Sequence, residues 1–118
     1  MKTTLSELSY KTYVYLFDLK YFAKAVKDDG YEEKDILNIV KDAQILYKYL
    51  LDAGLQKTEI EQYNILSEAY KLSENILNDL KLVCCTNNFI SEKTDLIVET
   101  FAIKEKTEVI MNQILKNK

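Results

Sequence analysis

The sequence predicts an all-α protein, an up-down-up-down four-helix bundle that forms a single domain over residues 1–118. Three observations predict this fold. Apolar residues recur at three- and four-residue steps along most of the chain, which is the period of an amphipathic helix. The 118 residues include no proline and only two glycines, so few positions interrupt a helix. Three turn-like sites divide the chain into four long segments of similar length, as in an antiparallel bundle with short loops.

The first predicted helix covers residues 5–28 and carries two apolar stripes. A helix in a bundle needs only one such stripe for the core. Gly30 is expected to end the helix in the left-handed conformation. The stripe assigned to the core comprises Leu5, Leu8, Tyr15, Leu16, Leu19, Phe22, Ala23 and Val26. The second stripe, on an adjacent face, comprises Tyr10, Tyr13, Val14, Phe17 and Tyr21.

The second predicted helix covers residues 32–53. Glu32, Glu33 and Asp35 lie in its first turn, where the helix dipole favours anions. Gly54 followed by Leu55 predicts a Schellman ending. One face of this helix is marked by Ile36, Ile39, Val40, Ala43, Tyr47, Leu50 and Leu51.

The third predicted helix begins after Thr58 and runs to about Cys85. Thr58 and Glu61 have the spacing of a capping box, in which Thr58 is the N-cap and Glu61 reaches back. The Asn87-Asn88 pair is a plausible stop because asparagine tolerates the left-handed region. Two neighbouring stripes contain Tyr63, Leu66, Tyr70, Ser73, Leu77, Leu80 and Cys84, and Ile65, Ala69, Leu72, Ile76 and Val83.

The fourth predicted helix has Ser91 as its N-cap. Its apolar and small polar residues alternate in steps of four and three, which is typical of a coiled-coil seam. The seam comprises Leu96, Thr100, Ile103, Thr107, Ile110 and Ile114.

Composition excludes most catalytic chemistry. The chain contains no His and no Arg, which removes histidine-based triads, mixed Cys/His zinc sites and arginine clamps on phosphate. Glu105 and Glu108 lie on one helical face, but a di-iron bundle also needs Glu-x-x-His partners. The adjacent cysteines, Cys84 and Cys85, are too few to complete a zinc site, and we interpret them as core or incidental thiols. We therefore predict no enzyme activity, no cofactor and no metal.

The sequence also predicts a reduced, cytoplasmic protein that does not cross a membrane. Its apolar runs are far shorter than the ~20 residues of a membrane span. The first residues lack the apolar region of a secretory signal. Neighbouring cysteines in a helix point in different directions, which disfavours a disulfide between them.

Six lysines are candidate nucleic-acid-binding residues. A solvated face is the favoured interpretation, because the net charge is −3 and aspartates are interspersed among these lysines. Nucleic acid is therefore a disfavoured partner. The six are Lys20, Lys24 and Lys27 on the first helix, and Lys34, Lys41 and Lys48 at seven-residue intervals on the second.

Tyrosine usage is the least ordinary feature of the chain. All nine tyrosines lie between Tyr10 and Tyr70. Tyrosine combines an apolar body with a polar hydroxyl, which suits protein–protein interfaces. Packing at the edge of a wide core is the alternative. We predict a homo-oligomer or an obligate partner subunit, with the second stripe of the first helix as the candidate partner-binding surface.

Three stretches resemble a bacterial four-helix-bundle family. They are D-I-L-N-I-V-K-D-A-Q-I-L-Y-K-Y-L-L-D-A from Asp35, S-E-A-Y-K-L-S-E-N-I-L-N-D-L-K-L from Ser67, and N-N-F-I-S-E-K from Asn87. The family groups ribosomal-RNA intervening-sequence proteins with the accessory variability determinants of diversity-generating retroelements. The resemblance implies a ring-forming bundle, often pentameric, that assists a reverse transcriptase and structured RNA.

The function predicted from the residues is that of a non-enzymatic helical interaction protein. It would act through protein–protein contacts, as an adaptor or accessory subunit or as a small inhibitor or immunity protein of a phage or bacterial system. The alternative is an accessory nucleic-acid-binding protein that assists a reverse transcriptase of a diversity-generating retroelement.

Overall fold

The structure, a computed structural model, describes residues 4–28, 34–87 and 90–116, with side chains described for residues 4–25, 36–83 and 95–116. Its four α-helices are α1 (Leu5–Asp28), α2 (Lys34–Gly54), α3 (Glu59–Asn87) and α4 (Ile90–Lys116). These described ranges contain no strand. The predicted all-α four-helix bundle is confirmed.

Each helix packs against its neighbour in sequence, and α1 also packs against α4. In the described ranges, no Cα atoms of the diagonal pairs α1–α3 and α2–α4 lie within 8 Å of each other. The four helices therefore occupy the corners of a square, in a bundle that measures 51 × 21 × 20 Å. Because short loops join consecutive helices, they run up-down-up-down. Helix α1 occupies one corner, so part of its surface faces away from the other helices.

The core forms where the apolar stripes of the four helices meet. Every residue of the seam predicted on α4 is buried, and Leu8, Tyr15, Leu19 and Phe22 of α1 are buried with it. These stripes were predicted because a helix with one buried face repeats its apolar residues at three- and four-residue steps.

The face predicted for α2 is wrong at one position. Leu51 is 44% exposed, whereas Leu46 is completely buried. The buried residues Ala43, Leu46 and Leu50 follow steps of three and four, and Leu51 lies about 100° round the helix from Leu50. Where two leucines are adjacent, as at Leu50 and Leu51, the sequence does not by itself reveal which of them faces the core.

Small polar residues in the core donate hydrogen bonds within their own helices. The hydroxyl groups of Thr12 and Thr107 donate to the carbonyls four residues earlier, at 2.8 Å in both cases. The Ser73 hydroxyl donates to the Tyr70 carbonyl at 2.7 Å. Every buried side-chain polar atom in the described part of the chain has a partner. Burial of these hydroxyls therefore avoids the cost of an unsatisfied polar group.

A threonine is the N-cap residue of two of the helices, α1 and α3. The Glu61 N–H donates to Thr58 Oγ1 at 3.2 Å, so the predicted N-cap of α3 is confirmed. Within the described residues, the predicted return bond from the Thr58 N–H to the Glu61 carboxylate is not formed. A complete capping box instead begins α1, where the Glu7 N–H donates to Thr4 Oγ1 at 3.1 Å and the Thr4 N–H donates to Glu7 Oε2 at 3.4 Å. The T-L-S-E sequence at residues 4–7 has the same signature.

The Schellman ending predicted at Gly54 is wrong. Gly54 is the last residue of α2 and does not adopt the left-handed conformation. Side-chain amides and backbone N–H groups together bind the terminal carbonyls of α2. Gln56 Nε2 donates to the Asp52 carbonyl at 3.0 Å, and Gln62 Nε2 donates to the Ala53 carbonyl at 3.1 Å. The backbone N–H groups of Leu55 and Gln56 donate to the same two carbonyls, at 3.0 and 3.3 Å, so each carbonyl accepts both a backbone and a side-chain hydrogen bond.

The N-cap predicted for α4 is also wrong. Helix α4 begins at Ile90, so Ser91 lies inside the helix, whereas an N-cap precedes the first helical residue. The predicted left-handed Gly30 and the side chains of Val26, Cys84 and Cys85 lie outside the described residues.

We expect Gly54→Ala to raise the free energy of unfolding by about 0.5 kcal/mol, because Gly54 is helical and alanine loses less conformational entropy on folding. The added Cβ would lie 3.7 Å from Leu5 Cδ2, an ordinary van der Waals distance. Urea denaturation followed by circular dichroism measures the change. A lower midpoint would show that a left-handed Gly54 ends α2 after all.

We expect Thr58→Ala to lower the free energy of unfolding by about 1 kcal/mol, because it removes the acceptor for the Glu61 N–H. Thr58→Ser keeps the hydroxyl and serves as the matched control, with stability close to that of the wild type. An unchanged denaturation midpoint for Thr58→Ala would mean that α3 starts at another residue.

Candidate functional site

The second apolar stripe of α1 is exposed. We call this surface, formed by Tyr10, Tyr13, Val14, Phe17 and Tyr21, the outer face. Tyr10 is 70% exposed, Phe17 56% and Tyr21 73%, and the other two residues are also exposed. The outer face therefore does not fill a wide core, the alternative that the sequence left open.

The outer face lies nearly opposite the core stripe of α1, rather than beside it as predicted. Tyr10 and Phe17 follow the buried residues Leu8 and Tyr15 by two positions each. Two residues turn a helix by about 200°. Helix α1 therefore presents one apolar surface to the bundle and a separate one to the outside.

Aromatic contacts order one edge of the outer face. The Tyr13 and Phe17 rings meet edge to face, with centroids 5.0 Å apart and an interplanar angle of 88°. The Tyr13 ring also lies 5.7 Å from the ring of Tyr47 on α2, which packs against the core. Contacts of this kind hold the rings in place before any partner binds, which reduces the entropy lost on binding.

An open groove continues the outer face towards the end of α2. Tyr10, Tyr13 and Tyr47 line it together with Leu51 and Leu55. Leu51, which was predicted to belong to the core face, is thus an exposed residue of this groove. The groove extends the apolar surface from α1 onto α2.

Carboxylates lie along the other edge of the outer face, between α1 and α4. Asp18, Asp95 and Glu99 line one hollow with Tyr21. Burial raises the pKa of Glu99 to about 7, and Asp18 adds to the rise by its hydrogen bond and its charge. Asp95 raises the same pKa further, while Lys11 opposes the rise. Asp95 and Glu99 are one helical turn apart, but the cluster could not be predicted from the sequence because Asp18 comes from a different helix.

A buried hydrogen-bond chain lies behind the outer face and joins α1 to α4. The Thr100 hydroxyl donates to the Leu96 carbonyl at 2.7 Å, which uses its only proton. The Tyr15 hydroxyl therefore donates to Thr100 Oγ1, at 2.5 Å. Burial raises the pKa of Tyr15 well above its usual range, so this phenol stays protonated and remains a donor.

The candidate nucleic-acid-binding lysines do not form a uniformly positive surface. Lys20, Lys24, Lys41 and Lys48 are exposed, whereas the side chains of Lys27 and Lys34 lie outside the described residues. Carboxylates lie close to Lys41: burial and the charge of Asp79 raise the pKa of Asp42, while the Lys41 charge opposes the rise. The second-helix stripe is thus mixed in charge.

The other potential catalytic and metal-binding side chains in the described part of the chain are dispersed. Glu105 and Glu108 are exposed on α4. Across the described residues, no three His, Cys, Asp or Glu side chains are grouped so as to hold a metal ion. None of the helices, over the part of the chain described, is both long enough and apolar enough to cross a membrane.

No protein-family model, curated protein or solved structure matches the chain. The resemblance to the bacterial four-helix-bundle family therefore stays a prediction. The function is therefore inferred from the residues of the outer face and from their surroundings.

We expect Glu99→Gln to raise the free energy of unfolding at pH 8 and to flatten its dependence on pH. The pKa of Glu99 is about 7 in the folded protein, compared with an ordinary value of 4.5, so the folded state binds more protons between these values. Glu99 therefore lowers stability as the pH rises through this window. Glu108→Gln removes an exposed carboxylate from the same helix and controls for net charge. Urea denaturation at pH 5, 6, 7 and 8 measures both variants, and an unchanged slope for Glu99→Gln would contradict the raised pKa.

Proposed function

We propose that this protein is a non-enzymatic interaction protein whose outer face binds another protein. One observation carries the proposal: five large apolar side chains are exposed together on one helix, on the side away from the core. Exposed apolar patches of this kind mark interaction sites in soluble proteins. The roles that fit are those of an adaptor or accessory subunit, or of a small inhibitor or immunity protein in a phage or bacterial system.

The residue types of the outer face favour tight contact with a protein. Tyrosine is enriched among the residues that dominate binding energy at interfaces. Burying apolar area recovers roughly 25 cal/mol per Å², and a large aromatic side chain can bury about 150–250 Å². The hydroxyls of Tyr10 and Tyr21 can remain hydrogen-bonded at the rim while their rings are covered.

The chemistry of the outer face supports binding rather than catalysis. Its side chains are phenols and hydrocarbons, which supply contact area and hydrogen bonds. The chain contains no His that could act as a general base and no Arg that could clamp a phosphate or carboxylate.

The alternative function is that of a nucleic-acid-binding accessory protein that assists a reverse transcriptase. The exposed lysines and the family resemblance support it. Negative charge opposes it, since Asp18, Asp95 and Glu99 border the outer face and would repel phosphates. We therefore favour a protein as the partner.

Site-specific photo-cross-linking in cells that produce the protein tests this proposal. A photoreactive phenylalanine analogue replaces Phe17, and we expect a discrete cross-linked protein adduct after irradiation. The same analogue at Val98, an exposed apolar residue of α4, is the control and should give none. Adducts that are lost on treatment with ribonuclease would favour the nucleic-acid alternative. A folded chain that gives no protein adduct from Phe17 would overturn the proposal.

We expect Phe17→Lys to fold with wild-type stability, because the phenyl ring is more than half exposed. The variant should lose the adducts formed from the photoreactive analogue at Tyr21. Circular dichroism and urea denaturation check the fold. Unfolding of this variant would place Phe17 in the core and show that α1 has been misinterpreted.

A further inference from the structure

Four of the five residues of the outer face have the spacing of a coiled-coil seam. Tyr10, Val14, Phe17 and Tyr21 follow one another in steps of four, three and four. In a heptad, Tyr10 and Phe17 occupy d positions, and Val14 and Tyr21 occupy a positions. An apolar seam with this spacing is the surface that a second helix covers by knobs-into-holes packing.

We infer that the outer face of one copy of this protein binds the outer face of a second copy, with the two α1 helices antiparallel in a symmetric dimer. This inference rests on the proposed function and names its partner. A two-fold axis requires a surface that is complementary to itself. The order of residues along the outer face meets that requirement.

The apolar layers of such a dimer match in size and type. With the two-fold axis level with the midpoint between Tyr15 and Leu16, Val14 of one copy faces Phe17 of the other. In the same register, Tyr10 faces Tyr21. In each layer, a residue at an a position of one copy therefore faces a residue at a d position of the other. The two-fold axis repeats each of these pairs once.

Charged residues beside the seam favour the antiparallel direction. Lys11 and Asp18 both occupy e positions, so Lys11 of one copy lies beside Asp18 of the other. At the ends of the seam, Glu7 of one copy faces Lys24 of the other. A parallel pair would instead place Glu7 against Glu7 and Lys24 against Lys24, and like charges in contact oppose association.

The hollow between α1 and α4 gives Lys11 of the second copy further anionic partners. Asp18, Asp95 and Glu99 line that hollow. Within one chain, burial is the main cause of the raised pKa of Glu99, and the charges of Asp18 and Asp95 add to it against the opposing charge of Lys11. On the opposite edge, Lys20 of one copy lies near the Tyr13 ring of the other, where a cation–π contact can form.

The size of this interface predicts reversible association. Covering the outer face and its charged flanks buries roughly 600 Å² on each copy, at the low end for specific dimers. Sedimentation velocity should therefore show a species of twice 13.8 kDa that dissociates on dilution. We expect Phe17→Lys to remain monomeric and Val98→Lys to dimerise like the wild type. A wild-type chain that stays monomeric at 100 µM would overturn the dimer.

Disulfide trapping tests the direction and the register. In a background of Cys84→Ser and Cys85→Ser, one chain carries Tyr10→Cys and the other carries Tyr21→Cys. We expect oxidation of the mixture to give the disulfide-linked heterodimer, while each chain alone stays unlinked. Homodimers from each chain alone, with no heterodimer, would show a parallel pair and overturn the inference.

A charge swap tests the same geometry with the native cysteines in place. We expect Asp18→Lys and Lys11→Asp each to raise the dimer dissociation constant about tenfold, because each change acts at two symmetric sites. The double variant restores opposite charges across the interface and should recover most of the affinity. Equal weakening in the single and double variants would contradict the pairing of these residues.

The cellular cross-links separate this inference from the proposed function. If the dimer is the functional partner, the adduct formed from Phe17 has the mass of two chains. An adduct with a different protein, together with a monomer in sedimentation, would overturn the dimer and leave the proposed function standing. The absence of both adducts and dimers would overturn both.

Discussion

A buried tyrosine hydroxyl must have a hydrogen-bond partner, and this requirement fixes the orientation of α1 in the bundle. Tyr15 is fully buried and donates to Thr100 on α4, which in turn donates to the Leu96 carbonyl. Any large rotation of α1 about its axis would break this bond and leave a buried polar group unsatisfied, at a cost of about 1–3 kcal/mol. With Tyr15 held inward, Phe17 lies on the outside.

The same orientation places the charged residues of α1. Asp18 lies on the α4 side, where it meets Glu99 and raises its pKa. Tyr13 lies on the α2 side, where its ring contacts Tyr47. The outer face is therefore bordered by carboxylates on one side and by aromatic rings on the other. The two edges of the outer face therefore differ in chemistry, whereas the edges of a purely apolar patch would be alike.

The two apolar surfaces of α1 differ in burial. Leu8 and Leu19 are buried in the core of the bundle, while Tyr10 and Tyr21 are exposed on the opposite side of the helix. Because the side chains of the outer face are exposed, we expect changes to them to cost less stability than changes to the core. The buried side of α1 stabilises the bundle, and the exposed side is the surface that we propose binds a partner.

The four helices, the buried seam of α4 and the second apolar stripe on α1 could all be predicted from the sequence. These features follow from periodicity and caps such as Thr58, which act within a single helix. Three further features depend on the packing of the helices: Leu46 rather than Leu51 faces the core, Gln62 binds the end of α2, and Asp18 lies close to Glu99. Each of these depends on which helices become neighbours and how each is rotated, and that information arises only when separate segments of the chain pack together.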